Sequence, residues 1–266
     1  MDERPASTTL TILAGLAFVF LLAPVVIVLP LSFSGDAFMA FPPQSLSARW
    51  YGAIFSHARL IDAFFVSLGL AATVTALSLA IALPATYALV RLRPPGAETM
   101  FSLFTAPLLL PTIVLGLAIL IVFAGLGLLG TWRGLLLAHL VVCTPYALRV
   151  LATSLANLPA DVEQAAATLG ARPLTVFRRV TLPLMLPGVA ATGALCFLVS
   201  FDETVLSLFM TGPRISTLPV EMFHHVESRA DPLVAAVSVL LVGFTLLVVV
   251  LVDRSLGLGK AFIKSG

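Results

Sequence analysis

Two adjacent carboxylates, Asp202 and Glu203, stand inside an apolar stretch, in the run Ser200-Phe201-Asp202-Glu203-Thr204. A carboxylate at the centre of a membrane helix costs about 2.5–3.5 kcal/mol on insertion scales, so such a pair seeks a wet cavity, a partner charge or a bundle interior. Two chemistries fit the pair. With Phe201 it can form a cation-attracting patch on a solute pathway, or it can be a structural pair held by an Arg or by backbone. Acid–base work by an intramembrane enzyme fits less well. Neighbours on a helix sit about 100° apart around the axis and do not readily face one substrate atom. Tyr87, with Thr86 near Pro84, is a further pathway candidate.

Other sequence patterns exclude chemistry. Gly125-Leu-Gly127-Leu-Leu-Gly130 spells GxGxxG but ends an apolar run, with no strand before it and no βαβ context. Gly259-Lys260 is followed by Ala261, and Arg254 or Ser255 stands where a P-loop needs its first glycine, so this chain is not expected to hydrolyse ATP. His224-His225 is not a zinc HExxH pair, and nothing in the order of residues suggests a Ser-His-Asp hydrolase. Cys143 and Cys196 both fall in apolar runs and read as small buried hydrophobes. No cofactor or metal is expected in this chain, and the net charge of +2 gives no reason to expect nucleic acid.

A second kind of function, docking, is suggested by Asn157–Pro187. Pro159 opens a helix. Asp161, Glu163 and Gln164 suit its N-terminal turn, Ala165 to Ala167 propagate it, and Gly170 ends it. A second short helix is expected over Pro173–Val180, with Phe177 inside it, Arg172 before it and Arg178 and Arg179 in its last turn, closed by Pro183. Small side chains with a basic edge let a partner's backbone approach closely. The alternative is an ordinary helical loop.

The elements that must position these residues are membrane spans. The chain has 266 residues, 59% hydrophobic and 11% charged, with mean hydropathy +1.09. Soluble domains carry about 25% charged residues. Spans of roughly 20 apolar residues are expected at Leu10–Leu31 (uncleaved), Phe64–Val90, Phe101–Phe123, Gly134–Ala156, Leu184–Met210 and Leu233–Val252. An interfacial helix is expected within Ser32–Asp62, around Trp50 and Tyr51. Arg149 is read as snorkelling to the interface and His139 as a hydrogen-bonded packing residue. On this scheme Glu203 lies about 28 Å along its span.

Six spans put both termini on one side. With that side inside, ten basic residues face in (Arg4, Arg91, Arg93, Arg149, Arg172, Arg178, Arg179, Arg254, Lys260 and Lys264) and five face out (Arg49, Arg59, Arg133, Arg214 and Arg229). The bias predicts cytoplasmic termini and a cytoplasmic docking segment. Prolines within the spans suit a transport bundle, where neighbours and cavity water satisfy the freed backbone groups.

The docking segment resembles the cytoplasmic loop of ABC-transporter permeases, whose pattern is EAA, three residues, Gly, nine residues and Ile-x-Leu-Pro. This chain reads Gln164-Ala165-Ala166, Gly170 and Val180-Thr181-Leu182-Pro183; Gln164 replaces the usual Glu, which Glu163 precedes. Ser200-Phe201-Asp202-Glu203, Thr211-Gly212-Pro213, Thr217-Leu218-Pro219 and Asp231-Pro232 resemble the second permease subunit of spermidine/putrescine-type importers. The resemblance implies an all-α type I importer permease, a single transmembrane domain over residues 1–266 with its coupling loop at about 157–182, in a bacterial inner membrane. It also implies a second permease subunit, two ATP-binding subunits that bind ATP and Mg²⁺, an extracytoplasmic binding protein, and a small cationic solute such as a polyamine. Amino-acid-like or organophosphonate-like solutes are the alternatives. On the same ground Glu163, Gln164, Ala165, Ala166, Gly170, Arg172, Phe177 and Arg178 are expected to couple to the ATPase.

Overall fold

The computed structural model describes residues 8–256. Arg4, Lys260, Lys264 and the Gly259-Lys260 pair lie outside them. The described residues form helices, with two isolated bridges, Ser34–Leu46 and Gly212–Ile215, and no extended strand. In chain order the helices are α1 (Thr8–Ser32), α2 (Arg49–Ser56), α3 (Ala58–Tyr87), α4 (Ala97–Thr105), α5 (Thr112–Gly125), α6 (Trp132–Ala156), α7 (Ala160–Thr168), α8 (Pro173–Val176), α9 (Leu182–Phe201), α10 (Val205–Met210), α11 (Leu218–Ser228) and α12 (Leu233–Leu256).

Five helical stretches are long and apolar enough to cross a membrane: Thr9–Ser32, Ala58–Leu92, Trp132–Ala156, Pro173–Phe201 and Leu233–Arg254. The expected third span is not straight. Ala97–Leu109 and Thr112–Gly125 meet at 101°, and only together do they make a sixth crossing. Proline explains the corner. Pro111 has no N–H to donate, and Leu110 before it is extended at ψ 139°, as a pre-proline residue prefers.

The expected fifth span is also redrawn. The segment beginning at Pro173 does not stop at Pro183 but runs through a widened turn, Phe177–Thr181, into α9. That widened turn accommodates the proline ring that would otherwise clash one turn back. The helix then ends at Phe201, well before Met210, and α10 starts afresh at Val205.

The chain divides into two compact units. One contains the described residues up to Ile61 with Met222–Phe244; the other contains Asp62–Glu221 with the described residues from Thr245 onward. In the first unit, Asp36 organises the loop after α1. Its carboxylate accepts from the Gln44 N–H at 2.9 Å and from the hydroxyls of Ser34 and Ser45. The Gln44 bond, helped by those hydroxyls and by Arg49, holds this carboxyl below its ordinary range. A helix, α2, forms around Trp50 and Tyr51, and Tyr51 reaches back to the Ser32 hydroxyl at 2.8 Å.

The second unit is built on α6. Thr131 caps it, accepting from the Gly134 N–H at 3.1 Å. One face of α6 packs on α9, Cys143 meeting Cys196 and Ser154 meeting Gly188. Small residues bring the two backbones together: a Cβ on Gly188 would fall 2.6 Å from Ser154 Cβ. Cys143 and Cys196 are free, buried, and each points its thiol at the other's carbonyl oxygen. The GxGxxG stretch has a structural use: Gly130, at φ +65°, passes so close to Gly212 that a Cβ there would lie 3.1 Å from Gly130 Cα.

Candidate functional site

The docking segment forms as helix, turn, helix. Asp161 and Glu163 occupy the first turn of α7. Gly170 closes it at φ +85°, donating its N–H to Ala167 O at 2.9 Å, while the Ala171 N–H reaches Ala166 O at 3.1 Å. These two bonds are the pair that ends a helix on a left-handed residue. A Cβ on Gly170 would meet nothing within 4 Å, so only backbone conformation asks for glycine here.

Two kinds of residue separate on this loop. Gln164, Ala165, Arg172 and Arg178 are exposed, and so are Val162, Leu169 and Leu174, with Leu169 at 89%. Ala166 is half-buried. Glu163 turns inward instead. Its Oε2 lies 2.9 Å from Arg91 Nε, and its Oε1 accepts from the buried Thr181 hydroxyl at 2.6 Å. The Nε–H does not point at the carboxylate, so that contact is an ion pair rather than a directed hydrogen bond. The Arg91 Nη2 donates to the Leu155 and Leu158 carbonyls at 3.0 and 2.8 Å.

One guanidinium thus ties the last turn of α6, at Leu155, and the loop after it, at Leu158, to the carboxylate of α7, which it neutralises. Phe177 packs edge-on against Tyr87, 4.9 Å between ring centres. Tyr87, grouped with the pathway residues on sequence, therefore sits against the loop. On sequence Arg91 contributes only to the charge bias. A basic residue in the turn after a proline-bearing span, facing a carboxylate beside the EAA-like pattern, is the signal that could have marked it.

The second polar centre is the break between α9 and α10. Asp202 ends α9, donating its N–H to Leu198 O at 3.0 Å, and its side chain is exposed. Glu203 is half-buried, its Oε1 accepting from the Leu206 N–H at 3.0 Å at the start of α10. The two carboxylates are therefore not inside one continuous helix, as the sequence suggested. They sit where a side chain competing for backbone N–H groups starts a new helix. Phe201 is buried, stacked on Phe197 at 5.8 Å and edge-on to Phe64 at 6.1 Å.

His139, buried in α6, bonds Ser200 Oγ through Nδ1 at 2.9 Å and Ser207 Oγ through Nε2 at 3.0 Å. The expected packing histidine thus bridges the two helices that flank the break. On another side of α6, Tyr146, Arg149, Thr153 and Asn157 recur at helical spacing and are exposed. They line an open cavity of about 670 Å³. No group of three or more His, Cys, Asp or Glu suited to a metal occurs among the described residues.

Comparison with known proteins matches these features to one family. Residues 78–258 match the family described as binding-protein-dependent transport system inner membrane component. The putrescine transport system permease protein PotI of Escherichia coli (strain K12) is 33% identical over 235 residues, covering 86% of this chain and 83% of the relative. The spermidine/putrescine permease PotC of the same strain is 30% identical over 234 residues, covering 88% of each. The molybdenum transport system permease protein ModB of Mycobacterium bovis is 35% identical over 236 residues, covering 81% of this chain and 89% of the relative.

Among solved structures, a bacterial ABC transporter for import of the acidic polysaccharide alginate superposes at TM-score 0.64 with 16% identity, over 100% of this chain and 99% of that one. The inward-facing MetNI methionine transporter gives TM-score 0.63 with 19% identity, over 74% and 94%. The fold is that of ABC-transporter permeases. The chain belongs to the binding-protein-dependent transport system inner membrane components: it is a multi-pass permease subunit of an ABC importer.

Proposed function

We propose that this chain pairs with a second permease subunit, docks two ATP-binding subunits through the α7–α8 loop, and passes a small cation such as a polyamine delivered by an extracytoplasmic binding protein. ATP and Mg²⁺ would be held by the ATP-binding partners and not by this chain. The exposed, mostly small and apolar face from Val162 to Leu174, rimmed by Arg172 and Arg178, supports the docking. Nearly all of that face lies outside the pairwise contacts that anchor Glu163. The ten-to-five charge bias supports a cytoplasmic loop and cytoplasmic termini. Cysteine tags at Arg178 and Lys260 should then resist impermeant reagents in intact cells, and a tag at Arg229 should react. The reverse pattern would overturn the orientation.

Gly170 gives a test of coupling. A left-handed backbone costs a non-glycine residue roughly 1–2 kcal/mol, and a β-branched one tolerates it least. Gly170→Val should insert normally yet separate ATP hydrolysis from uptake, and Gly170→Asn should do so less. Wild-type uptake and substrate-stimulated hydrolysis by Gly170→Val would refute the coupling role.

The single observation carrying the cation assignment is the exposed Asp202 at the break. Asp202→Asn should lower putrescine uptake several-fold while expression and assembly with the ATPase stay normal. Arg149→Gln should leave that uptake unchanged. A second reading has its own support: the molybdenum permease is as similar as the polyamine permeases, and Arg149 lies on the polar stripe of α6. If Arg149→Gln abolishes transport and Asp202→Asn does not, the solute is an anion.

A further inference from the structure

The break at Asp202–Thr204 is held from outside its own helix. Ser207 Oγ donates to the Glu203 carbonyl at 2.6 Å, so its proton is committed. It can only accept from His139, which places the Nε2–H on the neutral ring, 3.0 Å away. Nδ1 then accepts from Ser200 Oγ–H at 2.9 Å. The chain of bonds runs from the last turn of α9, through the α6 imidazole, to the first turn of α10 and back to the backbone of the break. His139 is 1% exposed, Ser200 3% and Ser207 0%. A buried network with every member satisfied specifies one geometry.

We propose that His139 is a positioning residue of the solute pathway: acting through Ser200 and Ser207, it fixes the α9–α10 break and so presents the Asp202 carboxylate. The proposal rests on the reading of Asp202 as a pathway group, and it assigns no contact between His139 and the solute. No residue of the docking loop is a member of this network.

Two measurements on the assembled transporter test it. In the first, Asp202→Cys is labelled with an impermeant thiol reagent, with and without His139→Leu. The native cysteines are 1% and 0% exposed and give little background. The labelling rate at position 202 should change several-fold when His139 is lost, and an unchanged rate overturns the proposal. In the second, His139→Leu should raise KM for putrescine several-fold with little change in kcat, and should add nothing to Asp202→Asn. An equal rise in both backgrounds means a merely structural histidine and overturns the proposal.

Ser207→Ala keeps the core volume and should shift both readouts in the same direction, which maintains the test if His139→Leu fails to assemble. If Asp202→Asn alone leaves uptake untouched, the cation reading fails, while the labelling rate still decides whether His139 sets the break.

Discussion

Arg91→Ala is expected to abolish coupled transport while leaving the chain inserted. Its guanidinium makes three contacts at once: Glu163 at 2.9 Å and the Leu155 and Leu158 carbonyls at 3.0 and 2.8 Å. The Arg91 and Glu163 side chains are only 17% and 15% exposed. Removing one partner of a buried ion pair costs about 3–5 kcal/mol, mostly through the charge left behind, and hydrogen bonds to a charged group are worth about 1.5–3 kcal/mol each. Partial exposure lowers these figures, but the remainder is still a large share of what holds a nine-residue helix in place.

The α7–α8 loop would then keep the Phe177–Tyr87 contact and its run into α9 but lose its tie to the end of α6, and a push on the outer face of α7 would reach α6 weakly. Arg91→Lys keeps the charge but not the planar fork that reaches three oxygens, so it should rescue only in part. Glu163→Gln keeps a group able to accept from Thr181 and should be milder. Uptake and substrate-stimulated ATP hydrolysis in the reconstituted complex decide it. Arg91→Ala with wild-type uptake would mean that the anchor does not transmit force.

The residues show what the sequence could carry and what it could not. The spans were legible because the free energy of membrane insertion is nearly a sum over local composition. Gly170 was legible because a left-handed helix end is a one-residue requirement. The role of Glu163 was not: the EAA-like spacing groups it with Gln164, yet successive helix residues point about 100° apart, and only the fold reveals which faces Arg91. The break at Asp202 was missed for a related reason. Hydropathy sees Leu184–Met210 as one apolar run interrupted by two acids, and is blind to a carboxylate that prefers the Leu206 N–H to helix continuation. Prolines proved ambiguous alone: Pro111 turns a corner of 101° and Pro183 is absorbed by a widened turn.

The close approach of α6 and α9 at Gly188 gives the prediction with the largest effect on the fold. Membrane helices associate through close packing of small residues, because lipid offers apolar side chains no reason to leave it. At Gly188 a Cβ would clash with Ser154 Oγ and lie 2.6 Å from Ser154 Cβ. The hydroxyl could rotate away, but Ser154 Cβ is fixed to the backbone, so the helices themselves must separate. That separation loosens the buried seam around Cys143 and Cys196, and overpacking of this kind costs about 1–3 kcal/mol. Gly188→Ala should therefore lower the melting temperature in detergent and the yield of assembled complex, and Gly188→Leu should do so more. Ser154→Gly removes both clashing atoms. Combined with Gly188→Ala it should restore most of the loss, a non-additive pairing expected only of residues in direct contact. Equal melting temperatures for Gly188→Ala and wild type would show that α6 and α9 do not approach at this point.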